Sequence, residues 1–362
     1  MNTGTSKPNW ASCNKTIIFL FNVERGLSVF IRLPNKHGII YDIGACENFS
    51  PADFIEKNLI DHIQILDQLI VSHPHKDQYQ EAQKMLEMLE RKGKFPHLVT
   101  MPHFVVGHQE ELDESRLQSM SESDMDLYQS IYGTRTPPLQ TIHYDDKITT
   151  ADIECGLFYM RPPDVADQYP ASDQEYGNGV SLCFYLKHNK HAIWIPGDIT
   201  PEIIPAVLSG NSSVERRFSI LGQKPVFSFG KNTSTSYSKT SENPTVNELL
   251  SQDDISLINI TPHHGLESCY ADDLFNIVTP IINIASEKEE NAGKCADAYS
   301  KKSSGMYVDQ GDVNYLFQDK RHFLTTRKDG HMVMILGHDS PSPKIYHSSN
   351  CDDLIAYLIK KI

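Results

Sequence analysis

The feature that most constrains this chain is an apolar run, Leu69-Ile70-Val71, followed at once by Ser72-His73-Pro74-His75-Lys76-Asp77-Gln78. The apolar run reads as the end of a buried strand, and the polar run as a His-x-His-x-Asp turn at its C-terminal end. Two imidazoles two residues apart, with a carboxylate two residues on, converge on one point only if the strand has ended and the chain is turning. Neutral imidazoles and carboxylates suit zinc, manganese or iron, so the pattern points to a metal site rather than to packing.

Two further apolar runs end the same way. Ala192-Ile193-Trp194-Ile195 leads into Pro196-Gly197-Asp198, and the run from Ile255 to Ile260 leads into Thr261-Pro262-His263-His264-Gly265. Taken singly, each has a plain explanation. Gly197-Asp198 fits a turn or a helix cap, because Thr200-Pro201-Glu202 reads as a helix start, and a His-His pair before glycine fits a hydrogen-bonded loop. Their common placement at strand C-termini argues for one shared site.

The rest of the chain sets bounds. Its 362 residues suffice for two average domains or one large α/β domain. No internal repeat or linker divides it, so a single domain over 1–362 is expected, with insertions at 103–148 and 211–250. Thr16 to Phe21 and Ser28 to Leu33 read as a hairpin, Ile39 to Ile43 as a third strand, and Asp53 to Gln64 as a helix. Ala82, Met85, Leu86 and Leu89 recur at helical spacing behind the His pair. Residues 109–126 hold seven acids and one arginine and read as a solvated helix or surface insertion. Residues 228–245 are rich in Ser, Thr, Asn and Lys and read as a long loop.

No apolar stretch approaches the roughly 20 residues that span a bilayer, and Met1 to Lys15 lacks the apolar core of a secretory signal. The seven cysteines, at 13, 46, 155, 183, 269, 295 and 351, have no short paired spacing. Reduced thiols, a cytoplasmic location and no membrane partner are therefore expected. A net charge of −14 argues against tight electrostatic binding of long duplex DNA and leaves phosphoesters or short nucleic acids as substrates.

With these motifs in order, the chain resembles the metallo-β-lactamase fold superfamily, and within it the hydrolase domain of ComEC-type DNA-uptake proteins and their stand-alone relatives. Phe21 to Arg32 is similar to that group's opening DVGQGDAILIR segment, Ile40-Tyr41-Asp42-Ile43-Gly44 to its LIDAG strand, and Ser72 to Gln78 to its SHPHADH. Asn178-Gly179-Val180-Ser181-Leu182 resembles NNxSL, Ile195 to Asp198 resembles LTGD, Thr261 to Gly265 resembles VPHHGS, and Phe323 to Val333 resembles the closing VYRTDEDGAI.

The resemblance implies a four-layer αββα sandwich, mixed α/β (α+β) in class, with a metal site, often binuclear, at the shared edge of two sheets. It implies that His73 and His75 bind one ion, that Asp77 binds a second, that Asp198 bridges both, and that either His263 or His264 completes the set. Asp42 would orient a ligand histidine. The implied cofactor is one or two zinc ions, with manganese or iron as alternatives, and the implied activity is phosphodiester hydrolysis by a metal-activated water, with Asp77 also serving the proton.

The chain departs from that pattern at Gln78, where a ligand histidine is expected, and an amide oxygen is a poorer zinc ligand than imidazole. Gly265-Leu266-Glu267-Ser268 also departs from the family's GS, which places Glu267 close enough to be a substitute ligand, though it also reads as solvated or as a helix cap, and His143 is a candidate for a middle histidine. Two other readings follow: a catalytically reduced protein acting as a binding or scaffold component, and a small-molecule ester or lactone hydrolase built on the same site.

Overall fold

A computed structural model of the chain describes residues 13–34, 36–102, 122–133, 153–169, 173–221, 243–288 and 295–362. The first five strands are β1 (Thr16–Leu20), β2 (Ser28–Arg32), β3 (His37–Ile43), β4 (Ile65–Ile70) and β5 (Leu98–Thr100). Next come β6 (Ile153–Met160), β7 (Cys183–His188), β8 (His191–Ile195), β9 (Val214–Leu221), β10 (Ser256–Ile260) and β11 (Ile282–Ala285). The last are β12 (Met306–Gln310), β13 (Phe317–Arg321), β14 (Phe323–Thr325), β15 (His331–Leu336) and β16 (Lys344–Ser348). They form a nine-stranded sheet, β13-β12-β16-β15-β1-β2-β3-β4-β5, and a seven-stranded sheet, β14-β11-β10-β8-β7-β6-β9.

Strands β1, β2, β3 and β8 are buried along their whole length because both faces of the sheets are covered there. In β1, Ile18 and Leu20 join Val29, Ile31, Tyr41 and Ile70 against Leu157, Phe184, Leu186, Ile193, Ile195 and Ile258 of the other sheet. The alternate residues Ile17 and Phe19 belong to a second core with Phe54 and Ile55 of helix Pro51–Asn58, Met85 and Met88 of helix Ala82–Arg91, and Leu354 and Leu358 of helix Asp352–Lys361. On the far side of the seven-stranded sheet, Phe158, Tyr185 and Trp194 meet Val165, Val207, Leu208 and Leu249 from three short helices. The layers are therefore helix, sheet, sheet, helix, the four-layer mixed α/β sandwich that the sequence led us to expect.

This topology brings the three motif-bearing strand ends to one edge. Strands β8, β10 and β11 are parallel neighbours, with Ile193 opposite Ile258 and Ile258 opposite Ile282, so their C-terminal turns lie side by side. Strand β4 runs parallel to β3 in the other sheet. The two sheets are joined at that edge by Leu182 N–H donating to Ser72 O at 2.9 Å and by Tyr41 Oη donating to Leu182 O at 2.7 Å.

Some expectations shift. The helix expected over Asp53 to Gln64 begins earlier, at Pro51, because Ser50 Oγ caps it by accepting from Asp53 N–H. It ends at Asn58, since Leu59 leaves the helical region (φ −123°), and a separate turn follows at Ile60–His62. Within the expected insertion 211–250, Val214–Leu221 is the edge strand β9, antiparallel to β6. Of the insertion expected at 103–148, residues 122–133 form a helix with Ile131 buried, while 103–121 and 134–148, including His143, lie outside the described residues. So does most of the 228–245 segment.

All seven thiols are unpaired. No helix among the described residues is long and apolar enough to cross a membrane.

Phe184, 1% exposed, fills the space between the sheets beside Tyr41. Phe184→Ala is expected to lower stability by about 3–5 kcal/mol, measured by urea denaturation, and a loss below about 1 kcal/mol would contradict its place in that inter-sheet core.

Candidate metal centre

The centre is assembled around Asp198, whose side chain is 7% exposed at the end of β8. Its Oδ2 lies 3.4 Å from His73 Nε2, 3.4 Å from His264 Nε2 and 3.9 Å from His263 Nε2. His264 Nε2 is also 3.8 Å from Asp77 Oδ2, which links the two carboxylates. His75 joins through ring contact, edge-on to His73 with centroids 4.8 Å apart, and its Nε2 faces Gly177. The side chains read from the three strand ends thus gather at one place.

Each imidazole is oriented from behind. Ser72 Oγ lies 2.9 Å from His73 Nδ1 and 2.8 Å from Asp42 Oδ2, while Asp42 Oδ1 accepts from Ser72 N–H at 2.7 Å. Asp42 therefore orients a histidine as expected, but through Ser72. With Asp42 ionised, Ser72 donates to it and accepts from His73 Nδ1–H, which leaves Nε2 a bare lone pair. His264 Nδ1 lies 2.9 Å from the Ser286 carbonyl, its acceptor, and His263 Nδ1 lies 2.9 Å from Cys269 Sγ.

The backbone bends sharply to achieve this. Asp42, His263 and His264 have φ of 56°, 45° and 58°, the left-handed region that non-glycine residues seldom enter. The Asp77 turn is seated under two glycines. A Cβ at Gly26 (φ +99°) would run into the Asp77 carbonyl oxygen, and one at Gly44 would sit 2.5 Å from it. The structure thus gives both glycines a steric reason that the sequence pattern alone did not state.

Charge at the centre is strongly displaced from ordinary values. Burial pushes the His73 and His263 imidazoles down, so they are held neutral. Burial alone would raise Asp198, but His264 and His73 hold it well below the usual carboxylate range. Burial alone would lower His264, yet Asp198 and Asp77 push it up to about 9. Burial likewise pushes Asp42 well up, against the two bonds from Ser72.

Two observations test whether these residues fit a cation. His73 Nε2 and His264 Nε2 are buried without a hydrogen bond, although each faces a carboxylate oxygen. Two donors at 2.0–2.1 Å from a tetrahedral zinc lie ~3.3 Å apart, close to the 3.4 Å that separates each of these nitrogens from Asp198 Oδ2. Among the described residues no three His, Cys, Asp or Glu side chains are drawn together tightly enough to enclose an ion as they stand. The His73, Asp198 and His264 donors are of the right chemistry, and each imidazole stands at ligand spacing from Asp198; His263 and Asp77 stand further off.

At Gln78 the expected ligand position is filled by a buried amide. Its Nε2 donates toward Asp77 Oδ1 at 3.3 Å and its Oε1 is buried without a partner. Glu267 is exposed in a short turn, Glu267–Cys269, and takes no part.

Sequence reading missed Arg25, which had been seen only as part of a hairpin turn. Its Nε lies 3.4 Å from Asp77 Oδ2. It also took residues 109–126 as merely solvated, whereas Asp124 pairs with Lys76 of the His-x-His-x-Asp turn at 2.8 Å.

Ser72→Ala is expected to weaken zinc affinity about 10–100-fold with the fold intact, measured by competition with a chelating dye; unchanged affinity would contradict the Asp42-Ser72-His73 chain. A raised His264 contributes stability that is fully present below its ordinary value of 6.5 and is lost as pH climbs through about 9. Chelator-treated wild-type protein is therefore expected to lose more thermal stability between about pH 6 and about pH 10 than His264→Gln does, and equal losses would contradict the pairing.

No family model matches the sequence, and no curated protein matches it. Among solved structures the chain is similar to the crystal structure of the metallo-β-lactamase fold protein YhfI from Bacillus subtilis, at 12% identity over 53% of this chain, with a TM-score of 0.26. The match spans 66% of that protein's length. A likeness this slight assigns no activity, and the reading of the centre rests on its own residues.

Proposed function

We propose that this protein is a metal-dependent hydrolase of phosphodiester bonds, a nuclease or phosphodiesterase acting on phosphoesters or short nucleic acids. The observation that carries the reading is the pair of buried imidazole nitrogens, His73 Nε2 and His264 Nε2, each 3.4 Å from the same oxygen of Asp198. A carboxylate buried there needs positive charge beside it, which the His264 imidazolium supplies without a metal and a bound cation would supply in its place. His73, Asp198 and His264 would hold a zinc ion, or manganese or iron in its place, with His263 and His75 beside them. Such an ion supplies Lewis acidity and a lowered pKa for bound water.

The chain's own groups divide the remaining work. Asp77, 22% exposed against 7% for Asp198, is the carboxylate that meets entering water, and it accepts the proton of the attacking molecule. Ser72 and Ser286 hold the imidazoles in register, and Gly26 and Gly44 fix the Asp77 backbone. The exposed Arg25 guanidinium on Asp77 favours an anionic substrate over a neutral ester or lactone. The net charge of −14 favours a short substrate over a long duplex.

The scaffold reading draws on one observation, the Gln78 amide at an expected ligand position. The two separate by metal content and turnover. Protein purified without added metal is expected to take up zinc or manganese and then to cleave bis-p-nitrophenyl phosphate. Asp77→Ala should lower turnover about 10²–10⁴-fold. A chain that binds no transition metal and cleaves no phosphodiester would leave only the scaffold reading, and unchanged turnover in Asp77→Ala would remove the role given to that residue.

A further inference from the structure

The two carboxylates of the centre share His264 Nε2, 3.4 Å from Asp198 Oδ2 and 3.8 Å from Asp77 Oδ2, but differ in their other neighbours. Asp198 Oδ2 faces only imidazoles: His73 Nε2 and His264 Nε2 at 3.4 Å and His263 Nε2 at 3.9 Å. Asp77 faces donors that the chain itself provides. Arg25 Nε lies 3.4 Å from its Oδ2, and Gln78 Nε2 lies 3.3 Å from its Oδ1. Imidazoles can give up a proton and offer lone pairs to a transition-metal ion beside the carboxylate, whereas a guanidinium is a permanent counter-charge that cannot be a ligand.

We propose that this centre takes one divalent transition-metal ion, at Asp198, and that the Arg25 guanidinium supplies the second positive charge, at Asp77, where it also receives an anionic oxygen of the substrate. The inference rests on the hydrolase reading and deepens it.

Position and chemistry both support Arg25 in this part. It sits in the turn between β1 and β2, and the adjoining Gly26 packs directly on the Asp77 carbonyl, which keeps the Arg25 backbone beside Asp77 and its Nε 3.4 Å from Asp77 Oδ2. Its side chain is 71% exposed, which leaves part of its five-donor fork open to solvent at the mouth of the centre. The adjacent Glu24 is paired with Lys288 at 3.1 Å, which directs that negative charge toward Lys288. Gln78 completes the arrangement: its amide can donate to Asp77 but gives no imidazole lone pair for a second ion.

The test is a count of zinc per chain by elemental analysis after equilibration and desalting, on the full-length protein and three variants. Wild type, Arg25→Gln and Gln78→His are each expected to hold one ion, because each single change leaves either the guanidinium or the missing ligand in place. The double variant Arg25→Gln/Gln78→His is expected to hold two. Two ions in the wild type would overturn the inference and leave the hydrolase reading standing. No uptake of zinc or manganese would overturn the hydrolase reading itself. A double variant that stays at one ion would overturn the substitution of Arg25 for a metal.

Because Gln78 is fully buried and its replacement could unfold the chain, a second measurement uses the exposed residue alone. Inorganic phosphate titrated calorimetrically into the zinc-loaded protein is expected to bind about 10-fold or more weakly to Arg25→Gln, and to keep most of its affinity in Arg25→Lys. Equal phosphate affinity in Arg25→Gln and wild type would overturn the anion-receiving role.

Discussion

A carboxylate buried among imidazoles governs this molecule. Asp198 lies at the end of a strand packed on both faces, with its Oδ2 within 3.9 Å of three histidine nitrogens. An ionised group in such a place survives only with compensating positive charge. Without a metal, that charge falls on His264, held protonated between Asp198 and Asp77; with one, the neutral lone pairs of His73 and His264 are available to it. The rest of the site, from the Ser72 relay to the glycines under Asp77, serves to keep these few atoms in register.

The fold supplies that register through strand direction. Parallel β8, β10 and β11 put the turns after Ile195, Ile260 and Ala285 side by side, and cross-sheet bonds from Leu182 and Tyr41 bring the turn after β4 against them. Catalytic-type side chains at the carboxyl ends of parallel strands are a general outcome of such packing. Here the turns are tight enough to force Asp42, His263 and His264 into left-handed backbone. Strain of that kind persists only where the surroundings over-determine it, and the inter-sheet core on one side and the helix-covered cores on the other provide that support.

The sheet strands with continuous apolar sequence were legible: β1, β2, β3, β4, β8 and β10 lie within a residue or two of the runs that announced them, because burial on both faces leaves little room for polar residues. Strands β9 and β13 were not. Glu215-Arg216-Arg217 and Gln318-Asp319-Lys320-Arg321 break the apolar pattern, as edge strands permit, and the partner of β9, β6, is distant in sequence. The centre divides likewise. His73, Asp198, His263 and His264 were legible as residue types at strand ends. Arg25 was hidden, since an arginine in a hairpin turn carries no local signal of the Asp77 carboxylate about fifty residues away that it meets in space. Gln78 could be seen as a departure, but that its amide turns to Asp77 is a matter of three-dimensional placement.

These elements meet in the proposal that Asp198 and the imidazoles of His73 and His264 would share a single cation, with Asp77 left to the Arg25 guanidinium and to water. Its most direct test is a crystal of zinc-soaked protein measured on both sides of the zinc absorption edge. The account predicts one anomalous peak in contact with Asp198, His73 and His264, and no second peak at Asp77. A map with no zinc peak touching Asp198 would contradict it.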